Sequence, residues 1–447
     1  MYLSDTLIDQ ITQSLMEKIH KEEFSVGSKL PSVRKYAQML GVSNETVLRA
    51  YDKLVVLGYL EARRGSGFYV LRTQAKTIQQ PVKSWIQNNP NISHWQKLLY
   101  HNDLSEQPQP LNLSQQQLLN SALLQNAMKN IDPSLFFRMN HYANPQGYLP
   151  LRDQIQQKLT SQGIQTSVEQ VMTTNGAADA LHLVIWAHFF PEQTIIIEDP
   201  STPLHLQRSL ASGLEIYRVP RLADGPDLEV LQNLCEKHKP KAFLMSSILQ
   251  NPTSSCISVY KAHQLLKLAE TYDFFIIDDD TYGDLLPESQ MINITRLANL
   301  DQFNRVIQIG SFSKTISPGL RSGYIAAKTK TIEHILLYKS VGAIQNSLLT
   351  DELIAKILAS GEYKAHCESL ANHLVLPRNQ MREHLINSGW EIPETKAGMF
   401  LWGKHSEENQ EHAIQSLKTQ AIHFATGGNF TNNQIYCPFV RFQIELS

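Results

Sequence analysis

The hydrophobic pattern of the first 72 residues predicts three short helices. Apolar residues recur at helical spacing in three successive stretches, which are Leu7, Ile8, Ile11, Leu15 and Ile19, then Val33, Ala37 and Leu40, then Val47, Tyr51 and Leu54. Before the third stretch, Gly41 can take the left-handed conformation that ends a helix, and Ser43 or Asn44 can cap the next helix. The second and third helices are therefore expected to meet across a tight turn, which is helix-turn-helix geometry.

A hairpin is predicted after these helices. Residues 59–64 and 68–71 indicate two strands around the turn Gly65-Ser66-Gly67, with Arg63 and Arg64 close to its tip. The third helix has its apolar residues on one face, which leaves its polar residues exposed on the other. These residues can contact base edges in a major groove of double-stranded DNA, and they are Asn44, Glu45, Thr46 and Arg49. A helical protein-interaction module is the alternative that this pattern leaves open.

From residue 113 onward, short apolar runs alternate with longer helical patterns. The runs predict buried strands at 194–197, 242–245, 274–277, 306–309 and 324–326. Buried strands separated by helices indicate an α/β domain with a mostly parallel sheet and helices on both faces.

The expected organisation is multidomain. Residues 1–72 form the winged helix-turn-helix domain, and residues 73–112, rich in Gln, Asn and Pro, predict a linker. Residues 113–447 form the α/β domain, whose small C-terminal α+β subdomain is expected at roughly 340–447.

Composition and charge indicate an ordinary soluble protein. The 447 residues are 42% hydrophobic, and 40 basic against 42 acidic residues give a formal charge of −2. This charge gives no global attraction to nucleic acid or to an anionic membrane, so any DNA contact is expected to be local. The four cysteines lack metal-ligand spacing, and the chain shows no signal peptide and no membrane-spanning run. We therefore expect a cytoplasmic protein with reduced thiols.

The most informative chemistry surrounds Lys314. This lysine follows the predicted strand 306–309, lies in Gly310-Ser311-Phe312-Ser313-Lys314-Thr315, and precedes Arg321 by seven residues. A lysine among hydroxyls at a strand end suits a Schiff base with an aldehyde, and the nearby cation suits a phosphate, which points to pyridoxal 5'-phosphate. For this lysine alone, a solvated turn with one charged tip is the alternative.

Other predicted strand ends carry the remaining polar groups that such a cofactor requires. Residues 176–178 lie at a loop-to-helix junction, where backbone N–H groups favour a phosphate. Asn251 can donate to the phenolate oxygen of the cofactor, and Tyr282 is expected near the same oxygen. Asp279 can pair with the pyridine nitrogen and keep it protonated. A metal site in an acidic cluster, or a solvated strand end, is the alternative for Asp279.

Four segments occur together in the N-terminal region: Lys29-Leu30-Pro31-Ser32-Val33-Arg34, Leu40-Gly41-Val42-Ser43, Leu57-Gly58-Tyr59-Leu60 and Gly65-Ser66-Gly67. With this combination the region resembles the winged helix-turn-helix domain of the GntR family of bacterial transcription factors. The resemblance implies DNA contacts from Arg34, from the start of the third helix and from the wing glycine Gly67. Many members have arginine at the position of Asn44, so the resemblance implies a docking mode and not a base preference.

Residues 113–447 resemble the fold-type I aminotransferases, on the motifs around Asn251, Asp279, Lys314 and Arg321. The pairing of this region with the first domain resembles the MocR subgroup of GntR regulators. The resemblance implies that Lys314 forms an internal aldimine with pyridoxal 5'-phosphate, that Asp279 holds the pyridine nitrogen, and that Asn251 and Tyr282 hold the phenolate. It implies that the phosphate is held by Ala177, Ala178, Ser311 and Arg321.

The resemblance also assigns two further residues and shows two departures. Arg441 matches the arginine that binds an amino-acid carboxylate, with a buried structural ion pair as the alternative, and Tyr142 matches a residue of the family's N-terminal segment. Thr202 occupies the cofactor-binding position where relatives usually have an aromatic that stacks on the ring, so stacking is expected to be weaker or to come from His205. Ser254 replaces a glycine and indicates a reshaped loop.

Together these features predict a transcription regulator that depends on pyridoxal phosphate. In this hypothesis an amine, an amino acid or the cofactor itself binds at Lys314 and biases how a head-to-tail homodimer places its two winged domains on DNA. The alternative is an active aminotransferase with an appended winged-helix domain, because Lys314 can also act as a catalytic base. A third hypothesis is a sensor of pyridoxal phosphate supply alone.

Overall fold

A computed structural model describes residues 7–20, 23–25, 27–56, 59–63, 65–71, 121–342, 344–405, 410–420, 422–431 and 437–444. Within it the chain divides into an N-terminal unit and a C-terminal unit. The predicted linker at 73–112 lies outside the described residues, and so does Arg64 in the predicted hairpin.

The N-terminal unit consists of helices followed by a two-stranded hairpin. Its elements are α1 (Leu7–His20), α2 (Val33–Leu40), α3 (Asn44–Val56), β1 (Leu60–Arg63) and β2 (Gly67–Val70). Gly41 ends α2 in the left-handed conformation, at φ 67°. Ser43 Oγ accepts a hydrogen bond from the Thr46 N–H at 3.1 Å and caps α3. The predicted turn is therefore confirmed.

One hydrophobic core holds this unit together. The apolar side of α1, including Leu15, is buried against α3, where Tyr51 is fully buried. The Tyr51 hydroxyl donates to the Pro31 carbonyl at 3.0 Å and so fixes the chain that enters α2. In the hairpin, β1 and β2 pair antiparallel with Arg63 opposite Gly67. These features confirm the winged helix-turn-helix fold.

The C-terminal unit is a layered α/β structure. Its helices are α4 (Ser121–Lys129), α5 (Ser134–Arg138), α6 (Leu149–Ser161), α7 (Ala177–His188), α8 (Pro203–Ala211), α9 (Leu228–His238), α10 (Val259–Tyr272), α11 (Leu297–Asp301), α12 (Thr329–Val341), α13 (Leu348–Ala359), α14 (Glu362–Asn387) and α15 (Gln410–Thr419). Its strands are β3 (Val171–Thr174), β4 (Thr194–Asp199), β5 (Glu215–Leu222), β6 (Gly225–Pro226), β7 (Ala242–Met245), β8 (Phe275–Asp279), β9 (Val306–Ser311), β10 (Gly323–Ala326), β11 (Phe400–Lys404), β12 (Phe424–Thr426) and β13 (Phe439–Gln443).

The large sheet has the strand order β3-β10-β9-β8-β7-β4-β5-β6. Strands β5, β4, β7, β8 and β9 run parallel, whereas β10 is antiparallel to both of its neighbours. Helices cover both faces. In β4, for example, Ile196 packs into one core while Ile195 and Ile197 pack into another, because successive side chains of a strand point to opposite faces. The predicted mostly parallel sheet is confirmed.

A small antiparallel sheet of order β11-β13-β12 forms the C-terminal part. It shares a separate core with the second half of α14, and this core contains Leu374, Leu385, Leu401, Val440 and Phe442. The C-terminal α+β subdomain that the sequence predicts is therefore present. No disulfide bond joins the four cysteines, all of which are described. Within the described ranges, no helix has both the length and the apolar character that a membrane span needs.

Candidate functional site

The loops that carry the predicted cofactor residues leave the large sheet at one edge. Strands β7, β8 and β9 are parallel, so their carboxyl ends share that edge, as is usual for ligand sites in α/β sheets. The antiparallel strand β10 begins at the same edge, where Gly323 pairs with Ser311 of β9 and with Thr174 of β3. The sheet topology therefore places the loops after β3, β4, β7, β8 and β9 next to one another.

Lys314 lies in a tight turn directly after β9. The turn is closed by hydrogen bonds from the N–H groups of Ile316 and Ser317 to the Phe312 carbonyl, at 2.8 and 3.2 Å. Lys314 is half-buried, and its Nζ lies 5.9 Å from the centre of the Tyr282 ring. Among the described residues, no hydrogen bond or ion pair to this amine is observed. The amine is thus presented beside Tyr282 without a competing anionic partner.

Asp279, the last residue of β8, is held as a carboxylate. His205 Nε2 donates to its Oδ2 at 2.9 Å, and the backbone N–H of Thr281 donates to Oδ1 at 3.1 Å. The Thr281 hydroxyl also donates to Oδ1. Burial by itself would raise the pKa of Asp279, but the His205 and Thr281 contacts outweigh it, and the pKa lies below its ordinary value. His205 therefore supports this carboxylate through a ring nitrogen.

The aspartates on either side of Asp279 have different partners. Asp278 accepts from the Ser247 N–H and hydroxyl at 2.8 and 2.7 Å, and burial raises its pKa to about 7. Asp280 pairs with Arg296 at 2.8 Å. Each of the three successive carboxylates therefore bonds to a different partner. Among the described residues, no group of His, Cys, Asp or Glu is arranged to hold a metal ion.

Asn251 and Arg441 join the large sheet to the small subdomain. Arg441 Nη1 donates to Asn251 Oδ1 at 3.1 Å. Because the Asn251 oxygen accepts this bond, its NH₂ group remains as the donor that the sequence assigns to a phenolate oxygen. The Asn251–Pro252 peptide bond is cis.

Arg441 itself lies in an aromatic setting. Its guanidinium carbon is 4.4 Å from the Phe400 ring centre and 4.9 Å from the Phe430 ring centre. Burial lowers the pKa of Arg441, against the opposing effect of Tyr282, and its Nε is buried without a hydrogen-bond partner. No acidic side chain among the described residues forms an ion pair with it, so the structural ion pair left open by the sequence is not observed. A half-buried guanidinium that pairs with no acidic side chain in the described part of the chain suits an anionic ligand.

A second anion-binding arrangement lies at the start of α7. Gly176, at φ 87°, precedes the helix, and no side chain caps it, so the N–H groups of Ala177 and Ala178 lack partners within the helix. Arg321 Nη2 donates to the Asn175 carbonyl at 3.2 Å. A Cβ atom at residue 176 would lie 2.8 Å from that Nη2. The helix N-terminus and this exposed guanidinium therefore share one small space.

The remaining predicted residues have the following places. Ser311 is buried and accepts from the Ser313 N–H at 3.2 Å. Thr202 precedes α8 and is half-buried. Ser254, at φ 54°, donates its hydroxyl to the Phe400 carbonyl at 2.9 Å, so the substituted position ties the Asn251 loop to β11. Tyr142 is 83% exposed on the unit's surface.

In the N-terminal unit, the start of α3 presents its polar residues to solvent. Asn44, Glu45 and Arg49 are exposed, and Thr46 is half-buried. Arg49 forms an ion pair with Glu45 at 2.6 Å, and both side chains remain largely exposed. The Thr46 hydroxyl lies 2.7 Å from that of Ser43.

Basic residues flank this surface. Arg34 is exposed in the first turn of α2. Arg63 in β1 pairs with Glu61 at 2.9 Å and lies over the Tyr69 ring at 4.4 Å. Gly67 takes φ 114°, and a Cβ there would meet the Lys29 side chain at 3.1 Å. The positions predicted to contact DNA are thus presented on α2, on α3 and on the hairpin.

Some residues of these sites were not predicted from the sequence. The sequence assigns no role to Lys29, whose side chain lies against Gly67 in the structure. Thr281 lies two residues after Asp279, in the run Asp278-Asp279-Asp280-Thr281-Tyr282, so its contact with Asp279 has a local signal in the sequence. The His205 contact with Asp279 spans 74 residues, and Arg441 contacts the rings of Phe400 and Phe430, which belong to separate segments of the chain. Only the tertiary structure identifies such pairs.

Two protein families match this chain. Residues 7–70 match "Bacterial regulatory proteins, gntR family", and residues 108–444 match "Aminotransferase class I and II". Curated relatives include the uncharacterized HTH-type transcriptional regulator YdfD of Bacillus subtilis, 28% identical over 88% of this chain and 83% of its own length. YdcR of Escherichia coli, described in the same words, is 27% identical over 97% of this chain and 94% of its own length.

Solved structures resemble the C-terminal unit. The kynurenine aminotransferase of Pyrococcus horikoshii matches with a TM-score of 0.68 at 20% identity, over 74% of this chain and 83% of that one. LysN, the α-aminoadipate aminotransferase of Thermus thermophilus, matches with a TM-score of 0.65 at 22% identity, over 74% and 84%. These likenesses show the fold. The chain therefore belongs to the class I and II aminotransferases, and it carries in front of that domain a helix-turn-helix domain of the gntR family of bacterial regulatory proteins.

Proposed function

We propose that this protein is a DNA-binding transcription regulator that holds pyridoxal 5'-phosphate at Lys314 and senses an amino acid or a related amine beside it. One observation carries the proposal. The hydrogen bond from Arg441 to Asn251 joins a guanidinium that pairs with no acidic side chain among the described residues to the loop predicted to hold the cofactor. A carboxylate bound at Arg441 would therefore act directly on that loop.

The residues at the sheet edge fit this cofactor. Asp279, kept ionised by His205 and Thr281, can accept a hydrogen bond from a protonated pyridine nitrogen. The Asn251 amide and the Tyr282 hydroxyl would hold the phenolate oxygen. When bound, the cofactor supplies an aldehyde that joins an amine and a ring that accepts electrons.

The phosphate would lie at the start of α7. Ala177 and Ala178 offer backbone N–H groups at a helix N-terminus, Arg321 offers a fixed cation, and Ser311 offers a hydroxyl. The absence of a side chain at Gly176 keeps this space open. Thr202 stands at the ring position, where a threonine offers less stacking surface than an aromatic side chain.

Arg441 would bind the carboxylate of the effector. Its guanidinium can form two parallel hydrogen bonds to a carboxylate, and the Phe400 and Phe430 rings keep it desolvated, which strengthens such bonds. An α-amino acid or an amino acid with a more distant amine would then reach Lys314 with its amino group.

The N-terminal unit would dock on double-stranded DNA through the surface formed by α2, α3 and the hairpin. Asn44, Glu45, Thr46 and Arg49 at the start of α3 would face base edges in the major groove. Arg34, Arg63 and the backbone at Gly67 would contact the phosphate backbone beside it.

We further propose a head-to-tail homodimer, which would pair two DNA-binding units with two half-sites. The support is an exposed apolar stretch in and after α5. Three aromatic side chains are largely exposed in this stretch: Phe136 by 65%, Phe137 by 71% and Tyr142 by 83%. Single exposed apolar side chains are common, but a cluster of them marks an interaction surface. An effector would regulate DNA binding by its different affinities for the two arrangements of such a dimer.

The test is a DNA-binding titration at fixed salt. A binding site is first selected from a random duplex library, and the affinity for it is then measured with the cofactor and with candidate amino acids. We expect sequence-specific binding that shifts when one amino acid is added, and no such shift in Arg441→Gln. If the protein prefers no DNA sequence, the proposal that it is a transcription regulator is wrong.

Turnover is the second candidate function, favoured by the position of the predicted cofactor residues Asn251, Asp279 and Lys314 at or after the ends of neighbouring parallel strands. An active aminotransferase would produce keto acid steadily from an amino donor and an acceptor. Brisk production together with no sequence-specific DNA binding would favour the enzyme over the regulator. A response of DNA binding to the cofactor alone would favour sensing of cofactor supply.

A further inference from the structure

Lys314 is positioned by its backbone, since its amine has no hydrogen bond to any described residue. The adjacent residue, Thr315, is fully buried and is held from behind by α14. Its hydroxyl lies 2.9 Å from the Tyr363 hydroxyl, and its carbonyl lies 2.7 Å from His366 Nε2. Tyr363 and His366 lie in the first turns of α14, so two side chains of one helix hold the residue next to the lysine.

The direction of each hydrogen bond follows from the partners. Burial alone would raise the pKa of Asp284, but Lys158 and Arg296 hold it below its ordinary value, so this carboxylate can only accept. Tyr363 therefore donates to Asp284 Oδ2, at 2.7 Å. Its oxygen is left to accept from the Thr315 hydroxyl. Since a carbonyl can only accept, His366 carries its proton on Nε2.

Asp284 is in turn fixed by three groups that lie outside the cofactor site. Lys158 Nζ is 2.9 Å from its Oδ1, Gln162 Nε2 donates to the same atom at 3.0 Å, and Arg296 lies 3.8 Å away. Burial, with the Asp284 charge adding to it, raises the pKa of Tyr363 well above its ordinary value, so the phenol keeps its proton. A continuous chain of polar contacts thus runs from Lys158 through Asp284 and Tyr363 to the buried Thr315, beside Lys314.

We propose that Tyr363 and His366 are positioning residues for Lys314, which act through Thr315 by holding the turn from Phe312 to Ser317 in the geometry that captures an aldehyde. The inference rests on the proposed function, because it assigns Lys314 to the cofactor. The two polar contacts are independent of the cofactor ring, the phosphate and Arg441.

The same helix gives the proposal a consequence for sensing. α14 has 26 residues, about 39 Å at 1.5 Å per residue, and its second half packs in the core that also contains Val440 and Phe442, on either side of Arg441. One helix thus contacts the lysine turn and shares a hydrophobic core with the strand that carries Arg441. A shift of the small subdomain would be passed to Lys314 through Tyr363.

The test uses full-length protein and three pairs of variants, of which His366→Gln and His366→Leu form the third. Thr315→Val and Tyr363→Phe each remove one hydroxyl with little change of shape. Thr315→Ser keeps the hydroxyl, and Tyr272→Phe removes a surface tyrosine bond to Glu236, of 2.9 Å, as the matched control. Hydrogen exchange of the Ile316 and Ser317 amides is measured without cofactor. The capture rate of pyridoxal phosphate at Lys314 is then measured by borohydride trapping.

We expect exchange of these two amides to be roughly tenfold faster in Thr315→Val, which loses one buried hydrogen bond, and at least as fast in Tyr363→Phe, which loses the bonds to Thr315 and to Asp284. Capture at Lys314 should slow by a similar factor. Thr315→Ser and Tyr272→Phe should match the wild type in both measurements. His366→Gln, which keeps an N–H donor, should be closer to wild type than His366→Leu.

Unchanged exchange in both Thr315→Val and Tyr363→Phe would overturn the proposal, and so would faster exchange with unchanged capture, because that result shows support of the fold alone. Failure of the wild type to capture the cofactor at all would instead refute the proposed function. The exchange measurement would still report whether α14 holds the turn, so the two failures are distinguishable.

Discussion

Arg441 donates from Nη1 to Oδ1 of Asn251 across 3.1 Å, and this bond joins the small subdomain to the loop after β7. The Asn251 side-chain oxygen accepts this bond, so the N–H groups of the same amide can donate to another acceptor. The sequence predicts separately that Arg441 binds a carboxylate and that Asn251 binds a phenolate oxygen, and this single contact would couple the two functions.

Replacement of Arg441 by lysine should weaken effector binding by roughly tenfold or more, because an ammonium cannot form two parallel bonds to a carboxylate while also holding Asn251. Calorimetric titration with the amino acid that shifts DNA binding checks this. Arg305→Lys, at the opposite edge of the sheet and paired with Asp273 at 2.7 Å, is the control. Equal affinity in Arg441→Lys and wild type would remove Arg441 from the effector site.

Gly176→Ala should lower the affinity for pyridoxal phosphate roughly tenfold, since the new Cβ would lie 2.8 Å from Arg321 Nη2 at a φ of 87°. Equilibrium titration of the apo protein by absorbance measures the affinity. Gly213→Ala imposes a similar backbone penalty, at φ 72°, with its nearest neighbour a Pro191 carbon at 3.3 Å. A loss of affinity shared by both variants would point to general strain and against a phosphate site at Gly176.

The pKa of Asp278, raised to about 7 by burial, predicts a pH dependence of stability. In the unfolded chain this carboxyl ionises near pH 4, so between about pH 4 and pH 7 the folded state retains a proton that the unfolded state has lost. The stabilisation is complete below that window and is lost as the pH rises through 7. Asp278→Asn, which stays neutral, should therefore lose less thermal stability than wild type between pH 5 and pH 8.

Calorimetric melting temperatures at intervals from pH 5 to pH 8 measure this difference. Asp273→Asn is the control, because Arg305 lowers the pKa of Asp273, and its ionisation lies below the range tested. Parallel pH profiles for wild type and Asp278→Asn would show that Asp278 does not carry a raised pKa.

Arg34→Ala should weaken binding to all duplexes alike and should lower the slope of log affinity against log salt by about 1, as expected for one lost phosphate contact. Fluorescence anisotropy at four salt concentrations gives the slope. Lys267→Ala, an exposed lysine of α10, should leave it unchanged. A changed base preference with an unchanged slope would assign Arg34 to base contacts instead.

The sequence predicted the framework of this protein well because its signals are local. The strand 242–245 is a short apolar run without alternation, the pattern of a strand covered on both faces, and Gly41 marks a turn that needs a left-handed residue. Lys314, Asp279 and Asn251 could be proposed as site residues from the sequence because each follows a strand predicted in this way.

Contacts between segments that are distant in the sequence could not be predicted. The sequence suggests His205 as a stacking residue, but it carries no signal for the contact of His205 Nε2 with Asp279, 74 residues away. The pairing of Tyr363 with Thr315, 48 residues apart, leaves no local pattern, because a tyrosine in a helix is equally suited to simple packing. The sequence shows that Ser254 replaces a glycine of the related family, but only the structure shows that its hydroxyl donates a hydrogen bond to the Phe400 carbonyl.

The most direct measurement is the identification of the residue that captures pyridoxal phosphate. The purified protein is incubated with the cofactor, reduced with borohydride and digested, and the modified peptides are identified by mass. The account predicts a phosphopyridoxyl group on Lys314 at near-stoichiometric yield, and no comparable modification in Lys314→Arg. An unmodified Lys314, or labelling spread evenly over surface lysines and unchanged in that variant, would contradict it.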